Sequence, residues 1–198
     1  MTVSADRFVL AFAGERRIAH GPLAGAMAAI HAAAHAEVGD GAAVLVFDAA
    51  TGKVIDLDLR GTVEDALARL APAPAAEPEK RGPGRPKLGV TPREVTLLPR
   101  HWDWLAGQPG GASVALRKLV EGAIRAAEGP DRARRAKAAT YALMTTLAGD
   151  RRGYEEATRM LFAGDWTAFD AAVAGWPDDV RETVRAMAEG AWRNGEGR

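Results

Sequence analysis

The chain has 198 residues, 47% of them hydrophobic, and its 26 basic side chains balance 26 acidic ones, so its formal net charge is zero. This length fits one large domain or two small ones. The lack of cysteine excludes disulfide bonds and thiolate chemistry, and it is typical of a protein of the reducing cytoplasm. The first ten residues do not have the pattern of a secretory signal, and no run approaches about 18 apolar residues, so we expect a cytoplasmic protein with no membrane span.

Residues 1–70 predict a small α+β domain with the element order β-β-α-β-β-α. Apolar side chains alternate over residues 8–12, and residues 16–20 can return as a second strand after a glycine turn. Large apolar residues then recur at helical spacing from Leu23 to about Glu37, which predicts the first helix.

Two further strands and a second helix complete this predicted domain. Residues 44–47 form a short β-branched run, and residues 54–59 alternate apolar side chains with aspartates. Thr62 is typical of a helix N-cap followed by early acidic residues, which favours a helix over residues 63–70. One face of the antiparallel sheet would be covered, and the other would meet water.

Two histidines of the first helix are the strongest candidates for a metal site. His31 and His35 lie four residues apart, a spacing that can hold zinc on one helix face. Glu37 and His20 are the nearest candidates for a third ligand. Because no acidic residue lies between the histidines and the chain has no cysteine, the pattern favours two solvated side chains on an alanine-rich helix. We therefore expect neither a metal nor a cofactor.

Three aspartates could suggest a cation site, and they are Asp48, Asp56 and Asp58. The predicted alternating strand accounts for Asp56 and Asp58 as side chains on its wet face. The chain has no Ser-His-Asp signature, no phosphate-binding glycine loop ahead of a helix and no supported pair of catalytic carboxylates. We expect a protein without enzymatic activity.

Residues 71–92 predict a linker between the two halves of the chain. Residues 71–79 hold three prolines among alanine and glutamate, a composition that favours extended backbone and cannot build a core. The basic run KRGPGRPK follows over residues 80–87, and we call it the basic tether. The side chains of the tether that we expect to contact DNA are Lys80, Arg81, Arg85 and Lys87.

The Gly84-Arg85-Pro86 core of the basic tether resembles the AT-hook, a peptide that lies in the minor groove of A·T-rich DNA. Glycine lets the backbone sit deep in a groove about 6 Å wide, and Pro86 biases Arg85 to an extended conformation. The narrow A·T groove concentrates negative potential, which attracts the guanidinium. The AT-hook has a second arginine where this chain has Pro83, so we expect weaker binding and a weaker A·T preference.

The basic tether begins a strongly positive stretch of the chain. Residues 80–125 contain nine basic and three acidic side chains, although the charges of the whole chain sum to zero. Charge sorted by segment indicates a polyanionic partner, and the alternative is the ordinary unevenness of a soluble protein.

Residues 93–128 predict a strand, a short helix, a glycine-rich turn and a longer helix. The strand would cover residues 94–98. Pro99 fits the start of the first helix, which would face Trp102 and Leu105 inward.

This order of elements resembles the ribbon-helix-helix fold of bacterial repressors. In that fold the strands of two chains pair as an antiparallel ribbon in the major groove of DNA, so the resemblance implies a homodimer. Ser113 would cap the second helix, and helix N-termini can bind a backbone phosphate. The residues that we expect near DNA in this segment are Arg93, Thr96, Arg100, Ser113 and Arg117.

The sequence departs from the ribbon-helix-helix pattern at the end of the strand. Leu97 and Leu98 are adjacent before Pro99, whereas ribbon-helix-helix proteins separate two alternating apolar residues at this point. Neither face of the strand offers a good set of base-reading side chains, since carboxylates repel phosphate and leucine reads only methyl groups. The alternative is a short strand and a helical hairpin that pack within the chain.

Residues 129–198 predict a helical bundle. Pro130 would open one helix, and Pro177 would precede the last. Between them, LAGD at residues 147–150 recurs as FAGD at residues 162–165, and each copy predicts a glycine at a helix end and an aspartate at the next helix start. The aromatic residues expected to pack this bundle are Tyr154, Phe162, Phe169 and Trp176.

The stretch from Arg81 to Ala123, together with the repeat at residues 147–166, resembles a bacterial family known only as domain of unknown function 2239. The resemblance covers nearly the whole chain and implies no activity, substrate or catalytic residue. The residues themselves lead to two hypotheses. The first is a dimeric DNA-binding protein, transcriptional or nucleoid-associated, and the second is a protein-interaction module whose basic tether only solubilises it.

Overall fold

The structure is a computed structural model that describes residues 4–36, 43–70, 91 and 93–193. The chain divides into two compact units. Unit 1 contains residues 1–73 and 129–198, and unit 2 contains residues 74–128. The predicted N-terminal α+β domain and the predicted C-terminal bundle therefore both fall within unit 1.

Three strands and seven helices are formed by the described residues. The strands are β1 (Phe8–Ala13), β2 (Arg16–Pro22) and β3 (Val44–Asp48). The helices are α1 (Leu23–Ala34), α2 (Val63–Leu70), α3 (Pro99–Ala106), α4 (Gly111–Ala148), α5 (Tyr154–Ala163), α6 (Trp166–Val173) and α7 (Asp178–Arg193). This mixture of elements confirms the α+β fold.

The sheet of unit 1 is buried on both faces. Its order is β2-β1-β3, with both outer strands antiparallel to β1. Successive side chains of a strand point to opposite faces, so Val9 and Ala11 join one hydrophobic cluster while Leu10 and Phe12 join another. All four residues are at most 4% exposed. The predicted half-covered sheet is wrong, because helices cover the second face as well.

Each face of the sheet has its own hydrophobic core. On one face the sheet packs against α1 and α2, and the buried residues there include Leu23, Met27, Ile30, Ala66 and Leu70. On the other face it packs against the C-terminal helices, and the buried residues there include Leu143, Leu161, Phe169, Val173, Val180 and Val184. This double covering explains why β1 reads as an almost continuous apolar run, FVLAFA.

The fourth strand predicted over residues 54–59 is wrong. Val54 forms an isolated antiparallel bridge with Phe47, and the described residues after it belong to no strand. The predicted alternation is nevertheless present, since Ile55 is buried between exposed neighbours. Alternation reports which side chains a segment buries, and it does not require that the segment pair with a neighbouring strand.

Two aspartates shape the chain at the start of α2. Asp58 accepts two hydrogen bonds from the Arg60 guanidinium, which lowers the pKa of the Asp58 carboxyl. Oδ2 of Asp65 accepts from the Thr62 amide at 2.9 Å, and Thr62 Oγ1 accepts from the Asp65 amide at 3.2 Å. This reciprocal pair confirms the predicted N-cap at Thr62, and its bonds lower the pKa of Asp65.

Helix α4 is longer than the sequence predicts. The helix expected after the glycine-rich turn and the helix expected to open at Pro130 form one continuous element of 38 residues, with Pro130 inside it. Proline has no amide hydrogen, so Pro130 cannot donate to the Ala126 carbonyl as a helical residue would. Alanine-rich sequence on both sides favours helix strongly enough that the element continues through this lost bond.

The second copy of the internal repeat has the predicted turn. Gly164 follows α5 with a φ of 79°, in the left-handed region that glycine adopts readily. Asp165 caps α6, because its Oδ1 accepts a hydrogen bond from the Ala168 amide at 3.0 Å. A glycine at the helix end and an aspartate at the next helix start are therefore confirmed for this copy.

The first copy of the repeat has a different turn. Gly149 follows the end of α4 as predicted, but the prediction that Asp150 lies at the start of the next helix is wrong. Helix α4 ends at Ala148, but α5 begins only at Tyr154, after Gly153 with a φ of 87°. Asp150 consequently caps no helix. Residues 151–153 occupy the place where the second copy has already begun its helix.

The predicted aromatic packing of the bundle is confirmed in part. Phe169 and Trp176 are buried, and Tyr154 packs against the same cluster while half-buried. Phe162 was expected in this core but is 52% exposed, where it meets Tyr141 edge to face with ring centroids 5.7 Å apart.

Candidate nucleic-acid interface

The segment predicted as a DNA-binding strand is not a strand within the single chain. Residues 93–98 belong to no strand, and all of them except the half-buried Leu97 are exposed. A strand needs a partner that satisfies its backbone donors and acceptors, and the described part of the chain offers none to this segment. Among the predicted DNA contacts, Arg93 and Thr96 therefore lie on exposed backbone ahead of α3.

Helix α3 begins at Pro99, as predicted, after an extended Leu98. Leu105 is buried at 2% exposure, which confirms one of the two residues expected to face inward. Trp102 is 43% exposed, so that expectation is wrong for the single chain, and Trp104 is 53% exposed.

Ser113 does not cap α4, and this prediction is wrong. The helix begins two residues earlier, at Gly111, after Gly110 with a φ of 85°. Ser113 therefore lies in the first turn, and its carbonyl accepts a hydrogen bond from Arg117 Nε at 3.0 Å. Its hydroxyl remains exposed near the N-terminus of the helix, where backbone amides lack helical partners.

The α4 residues 117–126 are exposed on almost every side of the helix. All of them are exposed except Gly122, which is half-buried. Leu119, Val120 and Ile124 are 53%, 55% and 64% exposed. A helix of a folded protein ordinarily buries one apolar face, so the exposed apolar side chains of this segment form a candidate contact surface.

Exposed apolar side chains are concentrated in unit 2. The described residues include eleven exposed large hydrophobic side chains, and seven of them lie in this unit. We call these seven the unit 2 apolar set, and they are Val95, Leu98, Trp102, Trp104, Leu119, Val120 and Ile124. Single exposed apolar residues are normal on protein surfaces, so their concentration in one unit is what makes this unit the candidate interaction surface.

Positive side chains accompany this apolar set. Five cationic residues of unit 2 form no ion pair anywhere in the described part of the chain, and they are Arg93, Arg100, Arg117, Lys118 and Arg125. Their charges are thus available to an external anion. The remaining predicted DNA contacts, Lys80, Arg81, Arg85 and Lys87 of the basic tether, lie outside the described residues.

The two histidines considered as zinc ligands both bond to backbone carbonyls. The rings of His31 and His35 stack with centroids 4.1 Å apart. His31 Nε2 lies 2.8 Å from the Gly61 carbonyl oxygen, and His35 Nδ1 lies 2.9 Å from the His31 carbonyl oxygen, so each ring donates at that nitrogen. No group of three metal-binding side chains is found among residues that the structure describes.

We expect the purified protein to contain no stoichiometric zinc, and we expect His31→Ala to leave its metal content unchanged. Loss of the bond to Gly61 should lower the free energy of unfolding by about 1 kcal/mol or less, since the bond is exposed. Elemental analysis of both proteins checks the metal content. One zinc ion per chain in the wild type, lost in the variant, would contradict this expectation.

Asp48, the first aspartate considered as a cation ligand, is already engaged by the protein. It is buried, and its Oδ1 accepts hydrogen bonds from the Ala50 and Thr51 amides at 2.9 and 2.8 Å. Its Oδ2 lies 3.1 Å from Arg7 Nε. This carboxylate therefore closes the turn after β3.

A family model described as an uncharacterized protein conserved in bacteria, DUF2239, matches residues 8–188. The chain belongs to this family. This match confirms the resemblance to DUF2239 seen in the sequence. The matched residues include parts of both units. A comparison with curated proteins found no match, and neither did a comparison with solved structures. Among the residues that the structure describes, this DUF2239 protein has no helix that is both long and apolar enough to cross a membrane.

Proposed function

We propose that this protein binds DNA as a homodimer, through residues 93–125 of two chains and through the basic tether. The observation that carries the proposal is the unit 2 apolar set, which accompanies a predicted strand with no partner in the described part of the chain. A second copy of the chain would cover the exposed apolar side chains and would pair with the predicted strand. The tether and the unpaired cations would then supply contacts to phosphate.

Pairing between two copies satisfies the backbone of residues 94–98. An unpaired strand exposes a row of amides and carbonyls that readily add a second strand. Two copies of the same segment can pair antiparallel about a two-fold axis, which produces the closed symmetric assembly that is commonest among homodimers. The resulting two-stranded ribbon fits the width of the DNA major groove.

The unit 2 apolar set is large enough to hold two chains together. Its members expose between 43% and 64% of their surface. Large apolar and aromatic side chains present on the order of 150–250 Å² each, so the set exposes roughly 600 Å² per chain and about 1,200 Å² for two copies. This area lies at the lower end of stable protein interfaces, about 1,200–2,000 Å².

The unpaired cations give the dimer its affinity for DNA. Arginine and lysine contacts to phosphate supply most of the non-specific affinity, and each contact releases counterions. Two chains would present ten such side chains from the described part of unit 2, in addition to those of the two tethers. Phosphate contacts position a protein on the duplex without reading bases, which fits a strand with few base-reading side chains.

A gel shift with A·T-rich and G·C-rich duplexes at two salt concentrations tests DNA binding directly. We expect binding to both duplexes, with a modest preference for A·T that the tether contributes. The logarithm of the affinity should fall with the logarithm of the salt concentration by about 0.9 per phosphate contact. Binding that is absent at low salt would contradict the proposal.

Replacing Arg85 and Lys87 of the basic tether by alanine should weaken DNA binding and reduce its salt dependence by about two contacts. The loss of A·T preference should be larger than the loss of affinity for G·C-rich DNA. The matched control is the double variant Arg16→Ala and Lys53→Ala, which removes two exposed cations of unit 1. Equal affinity and equal salt slope in the tether variant and the wild type would remove the AT-hook resemblance from the account.

The exposed tryptophans favour a second candidate function, a protein-interaction module. Tryptophan is enriched among the residues that carry binding energy in protein interfaces, and Trp102 and Trp104 are about half exposed. A module of this kind would bind a protein partner in a fixed stoichiometry and would show no salt-dependent DNA binding. The gel shift therefore separates the two functions.

A further inference from the structure

Unit 1 contains a cavity of about 590 Å³ beside the first copy of the internal repeat. We call it the Arg152 cavity. One wall is the turn between α4 and α5, and the other is the end of α6 with the turn that follows. Its lining residues are Asp150, Arg151, Arg152, Gly153, Ala171, Ala172, Gly175 and Trp176. Its volume is within the range of about 300–1,000 Å³ typical of small-molecule sites.

The internal repeat shows that this turn is not required merely to join two helices. In the second copy, Asp165 caps the next helix at once. In the first copy, Asp150 caps nothing, and Arg151 and Arg152 lie in a turn before α5 begins. Asp150, which caps no helix, and the two arginines all line the cavity. The copy that departs from the simpler helix connection is thus the one that builds a polar cavity wall.

The turn at Arg152 and Gly153 packs closely against α6 and the turn that follows α6. The indole nitrogen of Trp176, a residue only 4% exposed, donates to the Arg152 carbonyl at 3.1 Å. Gly153 lies so close to α6 that an added Cβ would approach the Ala172 carbonyl oxygen to 2.5 Å. A ligand would therefore meet a wall whose backbone is already in place, which lowers the entropic cost of binding.

Two opposite charges in this wall have no ion-pair partner among the residues that the structure describes. Arg151 pairs with Glu15, so its charge is compensated within unit 1. The side chains of Asp150 and Arg152 are exposed and form no ion pair with each other or with any other residue in the described part of the chain. Two residues with opposite charges, Asp150 and Arg152, therefore line the same cavity.

We propose that the Arg152 cavity binds a small zwitterion that carries a carboxylate and an ammonium group, the simplest class being free α-amino acids. The guanidinium of Arg152 would receive the ligand carboxylate, a pairing that can be bidentate. The carboxylate of Asp150 would receive the ammonium group. This site lies in unit 1 and does not depend on the DNA-binding proposal.

Thermal shift measurements with each of the standard amino acids at about 10 mM, a concentration that detects millimolar dissociation constants, test this proposal. At least one should raise the melting temperature of the full chain, and titration calorimetry should then give its dissociation constant. Asp150→Asn and Arg152→Gln should each raise the dissociation constant of that ligand at least tenfold. The matched controls are Asp56→Asn and Arg16→Gln, exposed charges of unit 1 that do not line the cavity, and they should bind as the wild type does.

Analogues of the ligand test its chemical class. The corresponding amine without a carboxylate and the acid without an amino group should each bind at least tenfold more weakly than the amino acid itself. Equal binding of the acid would show a simple anion site, and unchanged binding in the Asp150 and Arg152 variants would place the ligand elsewhere. Absence of any thermal shift with all of the amino acids would also overturn the proposal. Gel shifts of Asp150→Asn and Arg152→Gln should remain like the wild type, so failure here is separable from failure of DNA binding.

Discussion

We expect Thr96→Pro to convert the proposed homodimer to a monomer and to abolish its DNA binding in parallel. Thr96 lies at the centre of the predicted strand, and proline there removes an amide donor and cannot fit within a ladder. Because Thr96 is exposed and makes no hydrogen bond to the described residues, the substitution should leave the folded units intact. Sedimentation velocity measures the oligomer, and a gel shift at low salt measures the binding.

The matched control for this variant is Thr96→Val. Valine keeps the backbone amide and favours strands, so the dimer should persist, while loss of the hydroxyl should have only a small effect on DNA affinity. A Thr96→Pro protein that still dimerises would contradict strand pairing between chains. A monomer that still binds DNA with the affinity of the wild type would separate dimerisation from DNA binding.

Ile124→Glu should raise the dissociation constant of the dimer by at least about a hundredfold, because it would place a charge in a buried apolar interface. Ile124 is 64% exposed in the single chain, the highest value in the unit 2 apolar set. The substitution should therefore leave the fold of the monomer intact. Sedimentation equilibrium over a range of concentrations measures the change. Circular dichroism of the same samples should show helix content close to that of the wild type.

Val54→Glu provides the control for a charge added to an exposed apolar position. Val54 is 50% exposed and lies in unit 1, outside the unit 2 apolar set. Its substitution should leave the dimer unchanged. Equal weakening of the dimer by both substitutions would show that unit 2 is not the specific interface.

The elements of unit 1 were largely predictable, but their layering was not. Alternation and helical spacing identify β1, β2, α1, β3 and α2, because local patterns reflect which side chains are buried. The sequence FVLAFA of β1 also contains the signal for burial on both faces, since a half-covered strand would alternate with polar residues. What covers the second face is a non-local fact, because those helices lie more than a hundred residues further along the chain.

The departures within the helices have local causes. Pro130 predicts a helix start, yet α4 continues through it because the alanine-rich flanks tolerate one lost hydrogen bond. Ser113 has the chemistry of an N-cap, but Gly110 reaches the left-handed conformation first, and the helix starts earlier. In both cases a residue suited to a helix terminus lies inside a helix.

The candidate interface was predictable in position but not in its state of burial. Charge counting identifies residues 80–125, and the apolar pattern identifies Leu119, Val120 and Ile124 as a stripe. Periodicity indicates that such a stripe is buried, but it does not say by which chain. Because these three side chains are exposed in the structure, we infer that a second copy of the chain buries them.

The most direct measurement of the central claim is sedimentation velocity of the wild-type protein at tens of micromolar, alone and with a fluorescent duplex at low salt. If the protein binds DNA as a homodimer, it should sediment as a dimer in the absence of DNA. With the duplex it should form a complex of two chains per duplex that dissociates as salt is raised. A protein that sediments as a monomer, both alone and in the presence of the duplex, would contradict it.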